Sequence, residues 1–392
     1  MMIKGSFPVD VFREMETPFY FYDTELLQTT LSQLMVEANK YNYFIHYAVK
    51  ANDNPRILAM IQQHELGADC VSGGEIKKCL DVGFNPEHIV FAGVGKNDRE
   101  IELGLIAGIF CFNVESEQEI EVINQLAEKH HKIAHIALRI NPEINPNTHH
   151  YITTGLAENK FGINLSQLEA ILNYVKTLSH VRLIGLHFHI GSQITDIISF
   201  KGLCVRINEV QKKMLQKNIQ VDHINVGGGL GIDYHHPNHY SIPDFAAYFS
   251  VFYRHLQLYT GQRLHFELGR SIVGQCGSLI TKTLFVKKGD TKQFVIVDAG
   301  FTDLLRPALY QAYHRIENIS SDLEVDFYDV VGPVCESSDC FGKYIELNKT
   351  QRGDLIAIRS AGAYGEVMAS RYNSRRLPYA FFSDEISKNT ND

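Results

Sequence analysis

The sequence predicts an α/β protein: a (βα)8 TIM-like barrel joined to a second, mainly antiparallel β domain. Three observations predict it. Between residues 23 and 270, short apolar runs of strand length alternate with amphipathic stretches of helix length. The apolar runs number eight, which suits a closed parallel barrel better than an open sheet. After residue 270 the helical periods fade, and strand-like runs separated by turns take over.

The elements follow in order. Phe19-Tyr22 is strand-like and is assigned, with the rest of residues 1–22, to the β domain. Thr24 to Lys40 has a helix period. The first barrel strand is the apolar run from Phe44 to Lys50, and Asn52, Asp53, Asn54 and Pro55 supply turn and helix-start chemistry after it. Later barrel strands are expected near Ala68–Val71, Ile89–Ala92, Phe110–Val114, Ala134–Ile140, Arg182–Phe188, Val221–Val226 and Leu264–Glu267. Amphipathic stretches between them include Pro55–Glu65, Glu75–Val82, Asp98–Ala107, Ser116–Lys129 and Ser166–Leu178. Beyond the barrel, Ser278–Phe285, Gln293–Asp298, Asp326–Val334 and Asp354–Arg359 read as strands. The expected division is therefore 23–270 for the barrel and 1–22 with 271–392 for the β domain. The polar end, Ser383–Asp392, is expected to fray.

Composition narrows the function classes. A chain of 392 residues is comfortable for two domains, and 45% hydrophobic with 21% charged residues is ordinary for a globular protein. A net charge of -8 gives no support to nucleic-acid binding, but leaves a small anionic ligand open because local sites override net charge. Met1 to Ser6 lacks the apolar run of a signal peptide, and no segment reaches membrane-spanning length without charges. The seven cysteines form no paired framework, so thiols in a reducing cytoplasm are expected. Cys335 and Cys340 have no second pair or nearby His to complete a zinc site, and no metal is expected.

Functional groups of such a barrel collect at the C-terminal ends of its strands. Those positions hold Lys50, Asp69, Ser72, Gly93, Asn113, Arg139, His189, Ser192, Gly227 to Gly229, Glu267 and Arg270. Desolvation lowers an amine's pKa, which makes Lys50 available as a nucleophile towards an aldehyde; a snorkelling lysine at a strand end is the plain alternative. Gly227, Gly228 and Gly229 directly follow a strand, where bare backbone can approach an anion, and Ser192 could add a hydroxyl. Glycine runs also mark mere tight turns. His187 and His189 are two apart and would face one side of a strand; stacking or hydrogen bonding by His189 is favoured over a metal pair. Glu267 could orient a cationic ring nitrogen, or simply pair with Arg270. Lysine, phosphate cradle, carboxylate and stacking His together make the parts of a pyridoxal phosphate site.

At these positions the chain resembles the fold-type III pyridoxal phosphate decarboxylases over nearly its whole length, and most specifically the branch that acts on meso-diaminopimelate. Tyr47-Ala48-Val49-Lys50-Ala51-Asn52 resembles the family's cofactor-lysine motif, and Asp69-Cys70-Val71-Ser72-Gly73-Gly74-Glu75 its second barrel segment. His187-Phe188-His189-Ile190-Gly191-Ser192-Gln193 is similar to the motif of the ring-stacking histidine and the phosphate serine, which points to His189 and Ser192. Glu267-Leu268-Gly269-Arg270 resembles Glu-Pro-Gly-Arg, with Leu268 restoring a backbone N–H where proline is usual. Thr148-His149-His150-Tyr151 also departs from the pattern, since a proline commonly precedes the tyrosine.

The resemblance extends to the β domain. Arg306-Pro307-Ala308-Leu309-Tyr310 resembles the segment whose Arg and Tyr bind the distal substrate carboxylate. Gly332-Pro333-Val334-Cys335-Glu336-Ser337-Ser338-Asp339 implies Cys335 as the proton donor and Glu336 as the partner of the distal ammonium, both presented across a homodimer interface to make composite active sites. Tyr364, in Gly362-Ala363-Tyr364-Gly365, resembles the tyrosine near cofactor and substrate. The implied activity is decarboxylation of meso-diaminopimelate to L-lysine with pyridoxal 5'-phosphate, with Arg270 joining Arg306 and Tyr310 as a carboxylate ligand. Decarboxylases of ornithine, arginine or a carboxylated polyamine are the nearest rivals, and typically carry Asp after the Cys. An amino-acid racemase and a cofactor-carrier protein are more distant ones.

Overall fold

The computed structural model describes residues 7–143 and 160–386. The segment Thr148 to Tyr151, where the sequence departs from the family pattern, lies outside the described residues, as do 387–392.

Eight parallel strands close the barrel. After β1 (Phe19–Tyr22), these are β2 (Phe44–Ala48), β3 (Gly67–Cys70), β4 (Ile89–Phe91), β5 (Cys111–Val114), β6 (Ala134–Arg139), β7 (Val181–His187), β8 (His223–Asn225) and β9 (Arg263–Leu268). The ring is sealed where β9 pairs back onto β2, with Ile45 opposite Phe266. β3 and β5 are buried at every position, as strands covered on both faces must be. On β9, Phe266 makes edge contacts at 5.0 Å with Phe249 and Phe252 of the helix Phe245–His255, which covers that strand.

The helices start where the sequence supplies caps. Side chains of Asn54, Ser72, Asn97, Ser116 and Asp244 each accept a backbone N–H of the turn that follows. Each such cap contributes about 1 kcal/mol. Gly83 and Gly108 end two of these helices in the left-handed conformation. Ser72 is therefore a cap and not a strand-end site group.

The second unit is built on one mixed, mainly antiparallel sheet. Its long strand β10 (Gly277–Lys288) pairs antiparallel with β1, β11 (Gln293–Val297) and β15 (Leu355–Ile358). β12 (Ile316–Asn318) adds to β15, and β13 (Val325–Val331) joins β11 to β14 (Cys340–Asn348). β16 (Tyr379–Phe382) lies parallel to β1. Phe12, Phe19, Phe21, Ile280, Leu355 and Ala357 form its core.

The chain divides differently from the expected 23–270 boundary. One compact unit is 31–231 with 244–269; the other is 1–30, 232–243 and 270–392. The excursion 232–243 is tied into the β unit by polar bonds. Gln275 Nε2 donates to the Asp233 carbonyl at 2.7 Å, and Arg359 Nη2 donates to Asn238 Oδ1 at 2.7 Å. The start of the helix Thr24–Asn39 belongs there too, because Thr24 N–H donates to Ser383 Oγ. Among the described residues no helix is long and apolar enough to cross a membrane, and no cluster of His, Cys, Asp and Glu could hold a metal ion.

Candidate active site

In the barrel unit the predicted residues gather at the C-terminal strand ends. β2 ends at Ala48, and Lys50 sits in the single 3-10 turn Val49–Ala51 that follows. Its Nζ donates to Asp69 Oδ2 at 2.9 Å. Asp69 is fully buried, and its other oxygen, Oδ1, has no hydrogen-bond partner. Burial, with Glu267 adding, pushes the Asp69 carboxyl up to about 6 despite the lysine.

Glu267, on β9, is held by three donors from three other strands. Asn225 Nδ2 reaches Oε1 at 2.7 Å, Asn113 Nδ2 reaches Oε1 at 3.1 Å, and His187 Nε2 reaches Oε2 at 2.9 Å. Burial alone would raise its pKa; the His187 imidazole and then Lys50 overcome that and hold the carboxyl well below the usual carboxylate range. The result is a buried, ionised, fixed carboxylate. His187 and His189 do not act as a pair. β7 ends at His187, which serves Glu267; His189 lies in the loop beyond, where its Nδ1 accepts the Gly228 N–H at 3.3 Å.

The glycine run packs backbone closely against backbone. Gly227 and Gly229 have φ of 70° and 104°. A Cβ on Gly228 would lie 2.0 Å from the Glu267 carbonyl oxygen, and one on Gly229 would lie 2.7 Å from that of Gly191. The loop is laced to the Ser192 segment: Ile194 N–H donates to the Gly229 carbonyl at 2.8 Å, and Gly231 N–H to that of Ile194 at 2.9 Å. Gly269 has the same packing logic, since a Cβ there would meet Ala51 and Ala48 at 2.9 and 3.0 Å.

The β unit holds a second set. Arg270 and Arg306 share one aromatic wall: both guanidiniums lie over the Tyr234 ring, at 5.9 and 5.1 Å, and Arg270 also lies over Tyr364 at 4.8 Å. Tyr364 has a φ of 57°, a conformation that costs a non-glycine residue about 1–3 kcal/mol. Arg306 is buried, opens the short helix Arg306–Tyr310, and donates to His314 Nε2 at 2.8 Å. His314 can accept there because its Nδ1–H donates to the Arg359 carbonyl at 2.8 Å. No carboxylate among the described residues pairs with Arg306. Cys335 and Glu336 stand on an exposed loop. The loop is shaped by buried Asp339, whose oxygens accept the N–H of Val334 at 2.7 Å and of Phe301 at 2.6 Å.

Residues 28–274 match the family model described as "Pyridoxal-dependent decarboxylase, pyridoxal binding domain". The chain is 60% identical to diaminopimelate decarboxylase of Bacteroides thetaiotaomicron over 98% of its length and 100% of that protein. The chain belongs to the diaminopimelate decarboxylase family. Among solved members of that family, the Helicobacter pylori enzyme complexed with L-lysine superimposes with a TM-score of 0.89 at 39% identity, covering 96% of this chain and 94% of that one. The M. jannaschii enzyme in complex with L-lysine does so with 0.89 at 33%, covering 98% and 91%.

The cofactor of this decarboxylase family is pyridoxal phosphate, and the residues present fit it. The orphaned Asp69 Oδ1 beside the Lys50 amine, the side-chain-free cradle at 227–229, and an ionised carboxylate fixed in the barrel suit an aldehyde, a phosphate and a pyridinium nitrogen respectively.

Three donors to Glu267 complete the site: Asn225 has no place in the sequence reading, while Asn113 stands there only as a strand-end position and His187 only as half of a disfavoured metal pair. The available signal was their position as the last or next-to-last inward residue of β7, β5 and β8. Tyr234 and His314 gave no comparable signal, since both lie in irregular segments.

Proposed function

We propose that this chain decarboxylates meso-2,6-diaminopimelate to L-lysine, the last step of lysine biosynthesis, as a cytoplasmic homodimer with composite active sites. The observation that carries the substrate assignment is Arg306. A buried guanidinium held by a neutral histidine and by the ring and hydroxyl of Tyr234, with no carboxylate on it among the described residues, is suited to receive a carboxylate.

In this reading Lys50 binds the cofactor's aldehyde carbon, Gly227, Gly228, Gly229 and Ser192 its phosphate, His189 its ring face, and Glu267 its ring nitrogen. Asp69, Gly269, Arg270 and Tyr364 complete that shell. When bound, the group supplies an electron sink for the pair left on the α-carbon as carbon dioxide departs. The chain's own groups do the rest. Glu267 keeps a proton on the ring nitrogen, which its ionised state makes favourable. Asp69 holds the Lys50 ammonium. Arg306, Tyr310 and Arg270 grip the distal carboxylate, and Tyr364 closes on the substrate.

Cys335 Sγ–H returns a proton to the α-carbon, and Glu336 binds the distal ammonium. Both are exposed on the single chain, which suits groups offered to a partner's site. All seven cysteines are free thiols, as a reducing compartment requires. The direct test is to give the cofactor-loaded protein meso-diaminopimelate, L-ornithine and L-arginine separately and measure carbon dioxide. Release from diaminopimelate alone supports the reading; release from ornithine or arginine at a comparable rate refutes it.

A further inference from the structure

The opposite end of the barrel, where its strands begin, holds a cavity of about 530 Å³. Three histidines form a hydrogen-bonded chain into it. His46 Nδ1 meets the His88 carbonyl at 3.1 Å, His46 Nε2 meets His265 Nδ1 at 2.9 Å, and His265 Nε2 meets His223 Nδ1 at 2.9 Å.

The carbonyl fixes every tautomer. It can only accept, so His46 Nδ1 carries a proton, and His46 Nε2 must then accept from His265 Nδ1–H. His265 Nε2 in turn accepts from His223 Nδ1–H, which leaves His223 Nε2 as a bare lone pair at the cavity. Three neutral rings thus use all three of their protons in the chain. One more proton, added at His223 Nε2, leaves every bond intact; a second would break one. The origin of the chain depends on a glycine: a Cβ on Gly67 would lie 2.5 Å from His46 Nδ1 and 2.4 Å from the His88 carbonyl oxygen.

The rim is cationic and its walls are flat. Arg182, Arg263 and Lys132 line the cavity, against Glu87 and Asp222. Neither Arg182 nor Arg263 has a carboxylate partner among the described residues. Phe44 stacks on His265 at 5.2 Å, the Arg263 guanidinium lies over the Phe44 ring at 5.4 Å, and Phe110 stacks on His265 at 5.6 Å.

We propose that this mouth is a second ligand site, distinct from the decarboxylation site, that takes a small planar carboxylate together with one proton. The ring of the ligand lies against Phe44 and Phe110, and its carboxylate meets Arg263, Arg182 and the protonated His223. In the unliganded chain burial holds His46 down to about 4 and lowers His265 and His223 as well, so the rings are neutral near pH 7. His223 feels Asp222 in favour of its charge and Arg263 and His135 against it; His46 feels Glu267 and the hydrogen bond to the His88 carbonyl in favour, and the His88 and His223 side chains against. An incoming anion tips that balance, so binding takes up a proton and tightens as pH falls.

The test is calorimetric titration of the cofactor-loaded enzyme with benzoate, in buffers of different ionisation heat, at about pH 6 and about pH 7. L-lysine is kept in excess so that the substrate arginines are not the benzoate site. Expected is one site per chain, uptake of about one proton, and affinity about tenfold tighter at the lower pH. Arg263→Gln and Arg182→Gln should weaken binding, and His223→Gln should abolish the proton uptake, all three with unchanged decarboxylase activity as proof of folding. No benzoate binding, binding without proton uptake, or binding unaltered in both arginine variants overturns the proposal.

Discussion

His187 Nε2 donates to Glu267 Oε2 at 2.9 Å inside the barrel, and this bond decides the charge of the carboxylate. Burial works against ionisation of Glu267, and the imidazole is the largest influence in its favour. Hydrogen bonds to charged groups contribute about 1.5–3 kcal/mol. His187→Phe should therefore lower kcat by about 10- to 100-fold with little change in KM, since in the proposed arrangement Glu267 serves the cofactor ring and not the distal end of the substrate. Steady-state kinetics at saturating cofactor would check this. Because the folded carboxyl sits below its unfolded value of about 4.3, its stabilisation is complete above that pH and is lost as pH falls further.

Asp69 shows the opposite sign. Its folded pKa is raised to about 6, above the unfolded value of about 3.9, so the native state holds a proton that the unfolded chain has lost. Stability of the cofactor-free protein should thus fall as pH rises from about 4 to about 6, by up to about 3 kcal/mol. Asp69→Asn should flatten that slope. Urea midpoints of the two proteins across this range give the comparison.

His314 orients Arg306, and burial, followed by the nearby Arg306 charge, lowers its pKa to about 3. It accepts from the guanidinium only while neutral. The neutral form's stabilisation is present above the unfolded value of about 6.5 and is lost as pH falls towards 3. His314→Leu should leave cofactor absorbance intact and raise KM for diaminopimelate by about tenfold, the worth of one lost hydrogen bond to a charged group. A matching loss for cofactor binding would contradict the positioning role.

The composite-site proposal predicts complementation. Mixing inactive Lys50→Ala with inactive Cys335→Ala chains builds heterodimers in which one site has both residues and the other has neither. Random exchange should restore about a quarter of wild-type activity, since half the dimers carry one good site of two. No recovery, with exchange verified by mass spectrometry, would show that each chain completes its own site.

Local pattern made the barrel readable, because its buried strands are short apolar runs and its helices begin at Asn54, Ser72, Asn97 and Ser116. β14 was not expected. Only Phe341 and Leu347 of its nine residues are buried, and Tyr344 interrupts it with a φ of 53°, so Cys340–Asn348 shows no clean alternation. The three donors to Glu267 come from positions 113, 187 and 225, and only closure of the barrel brings them together. The same holds for the His46–His265–His223 chain. The excursion 232–243 joins the β unit through bonds to Gln275 and Arg359, which no periodicity encodes.

In the proposed function the distal carboxylate of the substrate binds at Arg306. A substrate lacking that group leaves the buried guanidinium unpaired, which costs about 2–5 kcal/mol, or about 30- to 4,000-fold in specificity. The decisive measurement is kcat/KM for meso-diaminopimelate, L-lysine and L-ornithine on the wild type and on Arg306→Ala. The wild type should prefer diaminopimelate by at least the lower figure, and the variant should lose this preference while its cofactor absorbance survives. Comparable values for ornithine and diaminopimelate on the wild type would contradict it.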